Sequence, residues 1–209
     1  MLLTENLKWR YATKKFDPSK KVSPENIERI KEAISLSATS YGLQLYKVCI
    51  VSDPVLRRKL LPASWNQRQV TEASHLLILC HYLEANRKHV DDYIKLRASV
   101  QKITSEDLKD YGDFVTGKLL EKPDRERKEW NVRQTYIVLG NLLAACAELR
   151  IDTCPMEGFD SEAYDRILGL SAMGLRASLV IPIGYRAAGD LTQHLPKVRK
   201  PLDELFITW

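Results

Sequence analysis

The chain is poor in the residues that mark ready-made catalytic machinery. Its 209 residues include only nine glycines, four cysteines and four histidines. No two glycines stand one residue apart, which excludes the Gly-x-Gly core of a dinucleotide-binding turn. A Gly-x-x-x-x-Gly-Lys-Ser/Thr phosphate loop and a Gly-x-Ser-x-Gly nucleophile turn are also missing. His75, His81, His89 and His194 lack metal-ligand spacing, so no metal site is expected, and His75 and His81 read as structural brackets of a buried strand. Cys49, Cys80, Cys146 and Cys154 form no Cys-x-x-Cys pair and lie in or near apolar runs. Buried reduced thiols are therefore expected, as suits a cytoplasmic protein. The N-terminus has no basic stretch followed by a long apolar one, so no secretory signal is expected. The longest apolar run, about 137–147, is broken by Gly140 and Asn141 and is too short to span a bilayer. No segment alternates basic with aromatic residues as a single-strand nucleic-acid binder does. An enzyme built from this inventory takes its chemistry from a bound cofactor.

What is present is ordinary in bulk and patterned in detail. Hydrophobic residues make up 44% and charged residues 28%, the balance of a globular chain with a substantial core. Lysine and arginine exceed the acids by 32 to 27, a weak bias toward anionic ligands. Ser23-Pro24 reads as a helix cap followed by proline, and Ile27, Ile30 and Ile34 then recur at helical spacing until about Leu36. Residues 46–52 alternate as a strand, and Asp53-Pro54 starts a short helix predicted to run through Leu60. Residues 76–82 and 177–185 read as buried strands. The charged stretch 90–122 is helical in period, and Pro123-Asp124 breaks it. Residues 130–149 form a helix that is apolar nearly all round after Tyr136, as in a core or a dimer interface. Phe159, Asp160 and Tyr164 have the spacing of a hydrophobic staple around an Asp cap, with Gly169 ending that helix. Long helices and few strands without βαβ alternation predict an α+β fold, a central sheet covered by helices. Residues 1–209 read as one domain, with a helical excursion around 87–123.

Two short basic clusters lie almost a chain length apart. One is Arg10-Tyr11-Ala12-Thr13-Lys14-Lys15-Phe16-Asp17, the other Leu195-Pro196-Lys197-Val198-Arg199-Lys200. Brought together, they would make a phosphate site from guanidinium forks and ammonium point charges. Either cluster alone is more readily a solvated loop. Between them stands Pro155-Met156-Glu157-Gly158-Phe159-Asp160. In this order and spacing the three elements resemble the FMN-dependent nitroreductase family, which includes NAD(P)H nitroreductases and flavin reductases. The resemblance runs from Leu7 to Trp209.

The resemblance implies an FMN-dependent oxidoreductase with NAD(P)H as reductant and a small-molecule oxidant, a nitroaromatic or quinone, reduced by ping-pong hydride transfer. It also implies a three-layer α-β-α fold with a mixed sheet, and a homodimer that exchanges its C-terminal strand and holds FMN at the interface. Carried over by residue, Arg10, Tyr11 and Ala12 would serve the phosphate with Lys197 and Arg199, and Lys14 the pyrimidine edge of the ring. Asn66 and Gln69 would stand at that edge, while Pro155, Met156, Glu157 and Gly158 would face N5. Ala38, Thr39, Ser40 and Gly42 would touch the partner's flavin, with Tyr41, Tyr111 and Phe114 beside the substrate slot. Four positions depart from the family pattern: Ala12 replaces a hydroxyl, Gln69 a lysine found in some members, Gly42 an asparagine and Leu45 a proline. No side chain stands out as a catalytic acid or base. Another enzyme on the same scaffold (an enone reductase, dehalogenase or flavin reductase) and a cofactor-free basic binding module remain as alternatives.

Overall fold

A computed structural model describes residues 2–209. Its sheet contains β1 (Tyr46–Val51), β2 (His75–Tyr82), β3 (Asp152–Thr153) and β4 (Leu175–Gly184), in the order β1-β2-β4-β3. The helices are α1 (Leu3–Trp9), α2 (Pro24–Ser35), α3 (Pro54–Ala63), α4 (Gln69–Glu72), α5 (Arg87–Gln101), α6 (Lys109–Leu120), α7 (Asp124–Glu148), α8 (Ser161–Leu168) and α9 (Leu202–Leu205). Period-two alternation in β2 sorts its side chains between two layers. Leu76, Ile78 and Cys80 enter a core with Leu60 of α3 and Tyr164 of α8. Leu77 and Leu79 enter another with Ile30 and Ile34 of α2 and Val138 and Leu142 of α7. This is the expected α-β-α sandwich. A third core, with Val90, Ile94, Val115 and Leu119 of α5 and α6, also takes in Leu45, and Tyr82 of β2 and Trp130 of α7 pack against it.

The local signals act as expected at several ends. Ser23 Oγ accepts from Asn26 N at 3.2 Å and Asp53 from Val55 N at 2.8 Å, each satisfying an amide that the helix itself leaves free. Asp160 caps α8 through Ala163 N at 3.0 Å, and the Phe159 and Tyr164 rings meet edge to face at 4.9 Å. Gly169 ends α8 at φ 68°.

Other details differ from expectation. The helix after Asp53 continues past Leu60 to Ala63, and Pro62 sits in its last turn, where the chain no longer needs a continuing ladder. The charged stretch 90–122 is two helices, because Lys102 turns left-handed at φ 57° and redirects the chain. All three strand pairings are antiparallel, so the mixed character of the sheet is reduced to one isolated parallel bridge, Ala12 to Thr153. The tail is not a strand. It forms the short α9 and then an exposed Phe206–Trp209 end, since within one chain it lies along no sheet edge.

Candidate functional site: a cationic cleft at the sheet edge

The edge beside β4 is built by three segments running side by side. Cys154 N donates to Pro182 O at 3.1 Å, and Met156 and Val180 exchange bonds of 2.8 and 3.1 Å. Thr13 N then donates to Thr153 O at 3.1 Å, which lays the Arg10–Lys15 segment against β3. The same segment is tied to the chain after β4: Asp17 N donates to Tyr185 O at 2.8 Å and Ala187 N to Lys15 O at 3.0 Å. Gly184 makes this crossing possible. A Cβ there would lie 2.9 Å from Ser74 N and 3.1 Å from the Phe16 ring.

The folding therefore joins the two distant basic clusters. Arg10, Tyr11 and Ala12 line a cleft of about 500 Å³ opposite Lys197 and Arg199. The Lys197 ammonium donates to the Arg10 carbonyl oxygen. No carboxylate lines the cleft, while Lys8 adds a fourth cation. Burial, then the charge of Arg199, lowers the Arg10 pKa; burial, then Arg10 and Arg199, lowers that of Lys197. These cations repel one another, and an anion between them relieves the repulsion. Arg10 Nε is buried without a hydrogen-bond partner.

Beneath the cleft lies a lattice of aromatic and ionic contacts. Arg186 pairs with buried Asp152, its Nε and Nη2 donating to Oδ1 at 2.8 and 2.5 Å. Its guanidinium also lies 4.4 Å from the Trp9 ring centre and 4.6 Å from that of Tyr11. Arg150 stacks on Trp9 at 4.7 Å.

A second group gathers at the other end of the 153–158 segment. Asp160 N donates to Ala63 O at 2.8 Å, and Ser64 Oγ meets the Tyr164 hydroxyl at 2.7 Å, fixing the end of α3 against α8. The chain then passes through Trp65 and Asn66 at φ 51° and 58°, and Gln67 Nε2 donates to Gly158 O at 2.8 Å. Asn66 thus stands exposed beside Glu157 and Gly158. The room beside Gly158 is filled by Trp65: a Cβ would lie 2.7 Å from its ring. Glu157 is exposed, and its carboxylate accepts from the Tyr136 hydroxyl of α7. That bond, and then burial, raises the Tyr136 pKa to about 12. Gln69 begins α4, half-buried, and Pro155 is half-buried between buried Cys154 and Met156.

The third group is separate from both. The loop carrying Ala38, Thr39, Ser40 and Gly42 rests on α7, where Gln134 Oε1 accepts from Ser40 N at 3.0 Å and Asn141 Nδ2 donates to Ser37 Oγ at 3.0 Å. Tyr41 is left-handed at φ 56°, with its ring 6.4 Å from Trp130. On α6, Tyr111 is covered by the Arg97 guanidinium at 4.8 Å, whereas Phe114 is exposed. No hydrogen bond among the described residues joins this group to Arg10 or Glu157. Asp190, Gln134, Tyr136 and Trp65 were not singled out in the sequence. For Asp190 the only available signal was its place as a cap, between Gly189 and a short helical turn.

No helix of the described residues is long and apolar enough to cross a membrane, and no group of their His, Cys, Asp or Glu side chains could hold a metal ion. The fold and the cleft define an α+β protein with a cationic cleft at its sheet edge. Comparison makes that more specific: the chain belongs to the Nitroreductase family, which it matches over residues 7–185. YfkO of Bacillus subtilis, provisionally named an NAD(P)H nitroreductase, is 35% identical over 96% of this chain and 94% of its own. The major NAD(P)H-flavin oxidoreductase of Aliivibrio fischeri is 30% identical over 98% and 97%. The solved structure of YdfN from B. subtilis superposes with a TM-score of 0.88 at 21% identity, over 99% and 98% of the chains. A chain from Exiguobacterium sibiricum solved in complex with FMN gives 0.86 at 19%, over 100% and 97%. Both structures are provisionally described as nitroreductases.

Proposed function

We propose that this chain is an FMN-dependent NAD(P)H oxidoreductase that reduces nitroaromatics, quinones or related acceptors at one shared slot. The observation that carries this reading is the cleft lined by Arg10, Lys197 and Arg199 and by no carboxylate. It suits a dianionic phosphate, and the residues that would meet the flavin ring follow along the same sheet edge. Arg10, Lys197 and Arg199 hold the phosphate. Lys14 places a positive charge where the reduced ring gathers electrons. The Glu157-Gly158 backbone and Asn66 supply donors to the ring's edge. FMN, when bound, supplies the hydride relay: it accepts from NAD(P)H and delivers to the oxidant, which takes the vacated place in a ping-pong cycle. No side chain is asked to act as acid or base.

The working unit is a homodimer with FMN at the interface, in which each subunit is one domain and the exposed Phe206–Trp209 tail pairs with the other subunit's sheet. The separate loop at Ala38–Gly42 supports this, because within one chain it has no bond to the cationic cleft. A cytoplasmic setting fits four free thiols.

The purified protein should be yellow, bleach anaerobically with NADH or NADPH, and recover colour on addition of a quinone or nitroaromatic. Colourless protein that takes up no FMN would overturn the reading. A flavin-loaded monomer in sedimentation equilibrium, wild type or lacking Leu205–Trp209, would overturn the shared site.

A further inference from the structure

The two halves of the cationic cleft come from opposite ends of the chain, and something must set their spacing. Arg10 and Lys14 belong to the N-terminal arm, while Lys197 and Arg199 follow the turn at 191–194. Most ties between these segments are main-chain bonds near Phe16 and Arg186, on the far side of Lys15 from Arg10. One buried side chain reaches both. Asp190 is 1% exposed. Its Oδ2 accepts from the Tyr11 hydroxyl at 2.9 Å, Lys14 N at 2.8 Å and Lys15 N at 3.2 Å. Its Oδ1 accepts from Thr192 N at 3.1 Å, at the start of the turn that leads to Lys197. A tight turn from Ala187 O to Asp190 N, at 3.0 Å, holds its own backbone. Asp190 does not line the cleft.

We infer that Asp190 is a positioning residue whose carboxylate fixes the N-terminal arm against the Thr192 turn, and thereby sets the preference for a phosphorylated flavin over an unphosphorylated one. The inference rests on the FMN reading of the cleft. Four donors converge on one carboxylate, so its charge is consumed locally and the cations across the cleft stay available to a ligand. Burial alone would raise its pKa, but the amides of Lys14 and Lys15, the Tyr11 hydroxyl and the Thr192 amide outweigh burial and hold it below the usual value. The carboxylate therefore stays ionised at neutral pH, and the geometry it imposes is constant there. A phosphate bound by opposed cations is sensitive to their separation, whereas the uncharged part of a flavin is not.

The test compares FMN with riboflavin, which lacks the phosphate, on the full-length protein at fixed ionic strength, following quenching of flavin fluorescence. Wild type should favour FMN by about 100-fold or more, the equivalent of one or two charge-assisted contacts. Asp190→Ala should cut that preference by about tenfold or more while riboflavin binding changes by less than about threefold. Asp190→Asn should fall between, since its remaining oxygen can serve the three donors of the arm while its amide faces Thr192 N. If the alanine variant does not fold, the asparagine variant decides, and it should lower the preference with a preserved melting transition. A folded variant with the wild-type preference, or one that loses both flavins equally, overturns the inference. A wild-type protein that binds the two flavins equally overturns the phosphate reading itself, and the inference with it.

Discussion

The cationic cleft and the Ala38–Gly42 loop are both assigned to one cofactor, yet the chain holds them in different ways. The cleft is held by charge: Asp190 latches the arm, Asp152 fixes Arg186, and aromatic rings fill the space between guanidiniums. The loop is held by neutral amides of α7, Gln134 and Asn141, and its Tyr41 and Gly42 take left-handed backbone. Charge-assisted contacts are roughly twice as strong as neutral ones. A rim built from ions should therefore govern cofactor affinity. A rim built from amides should govern the shape of the loop itself.

The sharpest way to break this contrast is at the cleft. Arg10→Ala and Arg199→Ala should each weaken FMN binding by about 10- to 150-fold, the equivalent of ~1.5–3 kcal/mol for a contact to a charged group. Fluorescence recovery on flavin release measures it, and unchanged constants in both variants would remove these residues from the phosphate site. Lys14→Met should retain FMN but lower its reduction potential by on the order of 20–40 mV, because the reduced ring loses its countercharge, with Lys14→Arg milder. Redox titration against a reference dye decides, and an upward shift would place Lys14 away from the ring. On the amide rim, Gln134→Leu leaves Ser40 N without its acceptor and should cost about 1 kcal/mol in denaturant unfolding. FMN affinity should fall less than in either arginine variant; an equal fall would erase the distinction between the rims.

The smallest effect concerns Tyr136. Its folded pKa is raised, so the contact with Glu157 contributes stability below the ordinary tyrosine pKa of about 10, and loses it as pH rises toward about 12. In ultraviolet titration, Tyr136→Phe should remove one late-ionising tyrosine and flatten the alkaline decline in melting temperature between those values. A decline identical to wild type would show that the hydroxyl does not hold Glu157.

Much of this was legible in the sequence where one local rule dominates. Ser23-Pro24, Asp53-Pro54 and the Phe159–Tyr164 staple were readable because caps act over three or four residues. The pairing of Arg10 with Lys197 was legible only through family resemblance, since no periodicity links positions at opposite ends of a chain. β3 was not foreseen: two residues carry no alternation, and Asp152 is a poor strand former that is stable there because Arg186 neutralises it. The tail, expected on a second subunit's sheet, is the converse case. Phe206-Ile207-Thr208-Trp209 has strand propensity, but propensity forms no ladder without a neighbouring edge, and within the single chain the tail lies along none.

The core of α5 and α6 bears on how such an enzyme diversifies. Val90, Ile94, Val115 and Leu119 pack with Leu45 and against Tyr111, and Trp130 of α7 and Tyr82 of β2 lie against them, Tyr82 also touching a sheet core. Mutational drift at its buried positions is therefore transmitted to the sheet through Tyr82, whereas Phe114, exposed on α6, can change at little mechanical cost. A lineage can vary the outer face of this module freely, while its inner face stays geared to the sheet and evolves in step with it.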